Sequence, residues 1–155
     1  PGTNMLYVNS VDWCGTFNKA EELEHVLERN YMGGRCVPDA GRPAVGWLTA
    51  VDASTGAIRW RYRSPRPMLA AITTTSTDLL FTGELDGDFL VLVGRDGAVL
   101  YRFNTGAAMA GGVVTYQLAG TQYVAATSGA TTYFWGTQLT SARVTIFSLP
   151  APRTD

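Results

Sequence analysis

The chain has 155 residues, 46% of them hydrophobic and only 16% charged, with a formal charge of -1. That length suits one domain, and the near-neutral charge gives no electrostatic footprint for nucleic acid and no acidic tail. No apolar run reaches the ~18 residues of a membrane-spanning helix, and seventeen glycines with a single lysine, Lys19, favour strands and turns over helices.

The opening residues Pro1-Gly2-Thr3-Asn4 lead straight into an apolar strand, Met5–Asn9, with no signal-peptide pattern, so the chain is expected to begin inside a domain. Val11–Gly15 turns away from it. Asn18, with Glu21 three residues on, has the form of a capping box. The spacing of Leu23, Val26 and Leu27 predicts a short helix over Ala20–Asn30, stopped by Gly33-Gly34. This helix falls in an insertion spanning 13–43. Cys14 and Cys36 flank it at a spacing that is no metal motif. They are either two buried thiols or, in an oxidising compartment, a disulfide. His25 sits among glutamates and faces solvent; with no second histidine, neither a zinc site nor a serine-histidine relay is supported.

Next come a strand over Gly46–Asp52, a turn over Ala53–Gly56 and a strand over Ala57–Arg63. Arg59, Arg61 and Arg63 alternate with Trp60 and Tyr62, which puts the arginines on one solvated face. Ser64-Pro65-Arg66-Pro67 breaks the pattern, because proline cannot donate to a strand ladder. Four strands follow, Ala70–Thr75, Leu79–Gly83, Phe89–Val93 and Ala98–Phe103. The segment Glu84-Leu85-Asp86-Gly87-Asp88 between two of them is expected to be a hairpin turn with solvated carboxylates, since the spacing of a calcium loop is missing. After a connector over Asn104–Ala110, strands are expected at Val113–Gln117, Gln122–Thr127 and Arg143–Leu149. A loop over Ala130–Thr140 carries Tyr133, Phe134 and Trp135. Gly106–Gly112 lacks the spacing of a dinucleotide loop.

One segment repeats. Gly46, Leu48, Ala50, Gly56 and Trp60 meet Gly87, Phe89, Val91, Gly97 and Tyr101 at a constant offset of 41 residues. Such a period marks propeller blades, solenoids and similar arrays. The glycines supply the positive φ that the turn needs, while Asp52 and Thr55 can bond within it. Val93 and Asp96 replace those two residues in the second copy, whose turn is therefore expected to be held less well. The prediction is an all-β partial β-propeller of four-stranded antiparallel blades with one short helix in a loop. It divides into an incomplete blade over 1–63, a blade over 68–104, an incomplete blade over 111–149 and a tail over 150–155.

The segment Ala50-x-Asp52-x-x-Thr55-Gly56-x-x-x-Trp60 resembles the tryptophan-docking motif of the quinoprotein dehydrogenases, eight-bladed propellers that bind pyrroloquinoline quinone (PQQ). Leu79–Leu90, Tyr101–Gly106, Gly111–Tyr116 and Gln122–Ala125 resemble, in order, segments of the C-terminal blades of the alcohol and methanol dehydrogenase branch. The resemblance implies a periplasmic parent that oxidises a small alcohol with PQQ and a calcium or lanthanide ion, passing electrons to a cytochrome c or quinone. It also implies that the stacking tryptophan, metal ligands and catalytic base lie on the remaining blades, so no catalytic or metal residue is expected here.

What carries over is the rim of the cofactor site. Asp12-Trp13 stands where the family often has Asn-Trp, Leu69 where it has a tryptophan heading an inner strand, and Gly111 where backbone approaches the cofactor. A carboxylate facing the acidic cofactor is unfavourable unless protonated or cation-bound. A non-enzymatic repeat propeller acting as a scaffold or binding module is the alternative, and a carbohydrate- or peptide-binding propeller using Tyr133–Trp135 a third. The insertion, which the dehydrogenases often carry near the cofactor mouth, favours the enzyme branch.

Overall fold

The computed structural model describes residues 4–129, 135 and 140–148. Its strands in chain order are β1 (Met5–Asp12), β2 (Gly15–Lys19), β3 (Gly34–Pro38), β4 (Val45–Asp52), β5 (Ile58–Ser64), β6 (Thr73–Thr74), β7 (Leu79–Gly83), β8 (Asp88–Val93), β9 (Val99–Asn104), β10 (Val113–Leu118), β11 (Thr121–Ser128) and β12 (Arg143–Ser148). They form antiparallel sheets ordered β1-β4-β5, β6-β7-β8-β9 and β10-β11-β12, plus the hairpin β2-β3. The three larger sheets are successive propeller blades.

The 41-residue repeat is a structural repeat. β4-β5 and β8-β9 pair in the same register, with Ala50 opposite Trp60 and Val91 opposite Tyr101. Each pair then slips by one residue at the same place, between Ala50 and Val51 and between Val91 and Leu92. A bulge kept at equivalent positions adds the same local twist to both hairpins.

The middle blade is buried on both faces, which is why β7 and β8 read as nearly continuous apolar runs. Side chains alternate along a strand. Leu80, Leu90 and Leu92 therefore face the first blade, where Leu48, Tyr7, Trp60 and Tyr62 close one core. Phe81 and Phe89 face the third blade and pack with Val113, Val124 and Ala126. Phe147 of β12 stacks on Phe89, ring centroids 4.4 Å apart. β1 has one covered face, and its burial alternates residue by residue.

At the inner edge, β6 and the start of β10 lie side by side. The Ala71 N–H donates to the Gly111 carbonyl at 2.9 Å, and the Thr73 hydroxyl donates to the Val113 carbonyl. The inner strand expected over Ala70–Thr75 shrinks to Thr73–Thr74 for this reason. The Ala70 carbonyl is taken by Asn9 of the first blade and the Ala71 N–H by the third, so neither serves the ladder.

The predicted helix over Ala20–Asn30 does not form. Asn18, expected as its cap, instead pairs with Arg35 in the β2-β3 hairpin, and the Ala20 N–H closes the loop onto the Gly33 carbonyl. A helix this short depends on packing its apolar face, and Leu23, Val26 and Leu27 have nothing to pack on, Leu27 being 83% exposed. Of the expected aromatic loop, Tyr133 and Phe134 lie outside the described residues, as do Leu149 and the tail 150–155.

Candidate functional site

Blade-to-blade docking sets the geometry of everything else. The Trp60 indole N–H donates to the Gly94 carbonyl at 2.7 Å, across from the first blade to the turn of the second. The ring lies against Gly97, where an added Cβ would fall 2.7 Å from it. In the first turn, Asp52 Oδ1 accepts the N–H groups of Ser54 and Thr55, and Thr55 Oγ1 accepts that of Ala57. Arg59 completes an ion pair with Asp52 at 2.6 Å. These contacts, Arg59 first, lower the Asp52 carboxyl to a pKa of about 2.

The second turn is not left loose, contrary to expectation. Asp96 Oδ1 accepts the Ala98 N–H as Thr55 accepts that of Ala57. The role of Asp52 passes to Asp78 on the neighbouring hairpin, whose Oδ2 accepts the Arg95 N–H and whose carbonyl accepts that of Gly94.

The expectation of solvated carboxylates at Glu84–Asp88 also fails for Glu84, which is 2% exposed. Tyr62 of the first blade donates its hydroxyl to Glu84 Oε1 at 2.9 Å, and Arg102 donates to Glu84 Oε2 at 2.6 Å and to Tyr62 Oη at 2.7 Å. Arg102 also pairs with Asp88 at 2.5 Å. Burial, then the Glu84 charge, raise the Tyr62 phenol above its ordinary pKa. Bonds to Asp88, Glu84 and Tyr62 outweigh the desolvation of Arg102 and raise its pKa, keeping it charged. Arg61 and Arg63 do lie on an exposed face, each about 6 Å above the Trp47 ring.

A cleft of about 560 Å³ opens beside the connector that leads into the middle blade's inner strand. Trp13 and Trp135 meet in it edge to face, centroids 6.3 Å apart at 83°. Arg66 lines it between Pro65 and Pro67 and donates from Nη2 to the Trp135 carbonyl at 2.7 Å.

The sequence-derived rim residues divide. Trp13 walls the cleft, and half-buried Leu69 follows the connector that lines it. Gly111 heads the next inner segment, joined to Ala71 by the bond above; its missing Cβ would fall 2.2 Å from Thr127 Oγ1, so the Thr127 side chain fills that space. Asp12 is exposed and accepts the Trp47 indole N–H at 3.3 Å, away from the cleft lining.

The disulfide alternative for Cys14 and Cys36 is not realised, since both are free thiols. Cys36 pairs with Phe17, and Asp39 bonds back to Cys14, which separates the two cysteines by three ladder steps, roughly 10 Å. A disulfide tolerates a Cα separation of only about 4.4–6.8 Å.

Sequence reasoning misses two further residues. Asn9 donates to the Ala70 carbonyl and to Thr82 Oγ1, bracing the first blade on the second. Arg66 falls in what reads as a break between units; its one signal is a lone cation fixed between two prolines.

PQQ is a flat tricarboxylate, and the residues present fit it on one count. Ser128 Oγ at the end of β11 and Thr140 Oγ1 are buried without a hydrogen-bond partner, as donors to a ligand rich in oxygens would be. Among the described residues no cluster of three His, Cys, Asp or Glu forms a metal site.

One four-stranded blade docked between two three-stranded ones, with a tryptophan at the docking seam, defines a segment of β-propeller. No family model matches the sequence. It is 30% identical over 128 residues to the quinoprotein ethanol dehydrogenase of Pseudomonas putida, covering 82% of this chain and 20% of that protein. The lanthanide-dependent methanol dehydrogenase of Methylorubrum extorquens is 32% identical over 132 residues, covering 83% and 22%. The fold matches a europium-containing methanol dehydrogenase with a TM-score of 0.83 at 20% identity, over 96% of this chain and 31% of that one. The chain is thus a relative of the quinoprotein alcohol dehydrogenases, spanning about a fifth of the length of the curated relatives it matches.

Proposed function

We propose that this chain is an arc of a PQQ-dependent alcohol dehydrogenase, contributing the rim of the cofactor site rather than its catalytic base or metal ligands. The observation that supports this reading is the docking of consecutive blades through Trp60, with the inner segments of the second and third joined from Ala71 to Gly111 and Trp13 in the wall of the adjoining cleft. In this reading Trp13 offers an aromatic wall and Leu69 an apolar contact, while Gly111 lets Thr127 of the third blade pack closely on the inner segment. When bound, PQQ supplies the acceptor for the hydride of a small alcohol, and the protein's part is to orient it and set the electrostatics. Asp12, held by Trp47, is turned to the surface, so its charge does not oppose an anionic cofactor. Calcium or a lanthanide would be held by residues of the remaining blades. A periplasmic setting and a cytochrome c or quinone acceptor belong to the same reading.

The test is a chimera in which residues 4–148 replace the matching stretch of the Pseudomonas putida quinoprotein ethanol dehydrogenase. Uptake of PQQ with calcium and alcohol-dependent reduction of a dye are expected. A folded chimera that takes up no cofactor overturns the proposal and favours a repeat propeller that serves as a scaffold. The chain alone, mixed with PQQ and calcium, is expected to be inactive, and turnover by it would refute its role as an arc.

A further inference from the structure

Resting on the reading of the chain as an arc, we propose that the free face of the first blade is a seat for the outer strand of a preceding blade, one that carries an aromatic residue and, two positions beyond it, a carboxylate. Where the first blade meets the second, Trp60 donates to the Gly94 carbonyl and lies on Gly97. The matching residues of the first blade, 41 positions earlier, are Ala53 and Gly56. They are built the same way. The Ala53 N–H donates to the Asn4 carbonyl as that of Gly94 does to the Asp78 carbonyl, and Asn4 and Asp78 both have left-handed backbone, φ 50° and 64°. Yet nothing lies within 4 Å of a Cβ at Gly56, and the Ala53 carbonyl accepts no backbone hydrogen bond among the described residues. An aromatic ring with an N–H or O–H donor fits that seat as Trp60 fits its own. Leu6, Val8 and Ile58, exposed on the same face, give the strand an apolar bed.

The charge follows from Arg61, which stands 41 residues before Arg102. Arg102 lies on the corresponding face of the second blade and donates from Nη2 to the Tyr62 hydroxyl of the first at 2.7 Å. Tyr62 is the residue two positions beyond Trp60. A neutral phenol suffices there, because Glu84 and Asp88 of its own blade meet the charge of Arg102. The first blade keeps the arginine and drops both acids, since Pro43 and Trp47 stand 41 residues before Glu84 and Asp88. Arg61 lies 6.0 Å above the Trp47 ring and Arg63 5.9 Å, and neither forms an ion pair among the described residues. Two cations gathered at one indole favour an anionic partner over a neutral one, and the fork of a guanidinium matches a carboxylate. The preceding strand therefore meets Arg61 with an acid where Tyr62 meets Arg102 with a phenol.

The experiment uses the chimera described above, in which the Pseudomonas putida enzyme supplies the preceding blade. Either glutamate or glutamine is installed two positions beyond the docking aromatic of that blade, and hydrogen exchange of the β5 amides is followed by mass spectrometry. With glutamate, β5 is expected to exchange about threefold more slowly than with glutamine, as a partly covered ion pair allows. The double variant Arg61→Met, Arg63→Met is expected to abolish the difference. Both arginines are exposed, so the fold should tolerate it; should it not, Arg61→Gln alone is expected to reduce the difference.

Equal exchange with glutamate and glutamine, or a glutamate advantage that persists without the arginines, would overturn the proposal. The two readings fail separately. A folded chimera without cofactor uptake sinks the dehydrogenase assignment and leaves the β5 comparison measurable. An active chimera in which glutamate and glutamine behave alike sinks only the pairing with Arg61.

Discussion

At the scale of single residues, two glycines with the same backbone conformation do different work. Gly56 and Gly97 have φ of 73° and 75°, yet nothing lies within 4 Å of a Cβ at Gly56, whereas one at Gly97 would strike the Trp60 ring. Gly56→Ala is therefore expected to cost about 1 kcal/mol, the left-handed backbone alone. Gly97→Ala should cost about 2–4 kcal/mol, because it adds overpacking at a blade interface. Urea unfolding of the two variants gives the comparison, and equal losses would show that Trp60 does not seat on Gly97. Asp52 allows a second check. Its pKa of about 2 lies below the ordinary 3.8, so its turn contributes stability above the ordinary value and loses it as pH falls through about 2. A carboxyl titration by NMR should find that midpoint in the native chain, and Arg59→Met should move it upward, since Arg59 is the largest cause.

At the scale of elements, the lock formed by Tyr62, Glu84 and Arg102 joins strands of two blades through one buried carboxylate. Removing Arg102 leaves Glu84 charged, buried and bonded only to a phenol. Arg102 is itself partly solvated, so Arg102→Met is expected to cost about 2–3 kcal/mol, the low end for breaking a buried pair. The double variant Arg102→Met, Glu84→Met should be more stable than the sum of the single losses, because the stranded charge goes too; additive losses in thermal unfolding would contradict the lock. The raised Tyr62 pKa sets the alkaline limb. Its contribution is complete below about 10, the unfolded value, and is lost as pH rises through the higher folded one. Tyr62→Phe should therefore show a shallower decline above pH 10.

Little of this lock was legible in the sequence. Glu84 sits in a segment with every mark of a solvated turn, and its partners lie 22 residues before it and 18 after. The blade hairpins were legible because period-two burial and turn glycines are local signals. The insertion misled because helical spacing is equally local, whereas the missing surface to pack on is not. The proposed rim residues Trp13, Leu69 and Gly111 come only from the family resemblance, and Arg66, which lines the cleft, was hidden in a proline break.

At the scale of the whole molecule, the middle blade differs from its neighbours in having both faces covered. Leu6 opposes Val51 as Leu80 opposes Leu92, at matching positions of the repeat, yet Leu6 is 55% exposed and Leu80 1%. At the other end Val144 and Ile146 of β12 stand exposed on the face opposite Phe147. The cores on either side of the middle blade each need that blade, while the outer blades each depend on a single interface. Opening the first or third blade leaves one core intact, but opening the middle blade removes both. Backbone amides of the middle blade, Leu80 and Thr82 in β7 with Leu90 and Leu92 in β8, should therefore exchange hydrogen only through the largest opening the chain undergoes. Those of β2 and β3, whose hairpin joins neither core, should exchange fastest among the strands. Native-state hydrogen exchange resolves the order directly. Protection in β2-β3 equal to that in β7-β8 would mean that the insertion is built into the blades, and the arc would then have to be redrawn around it.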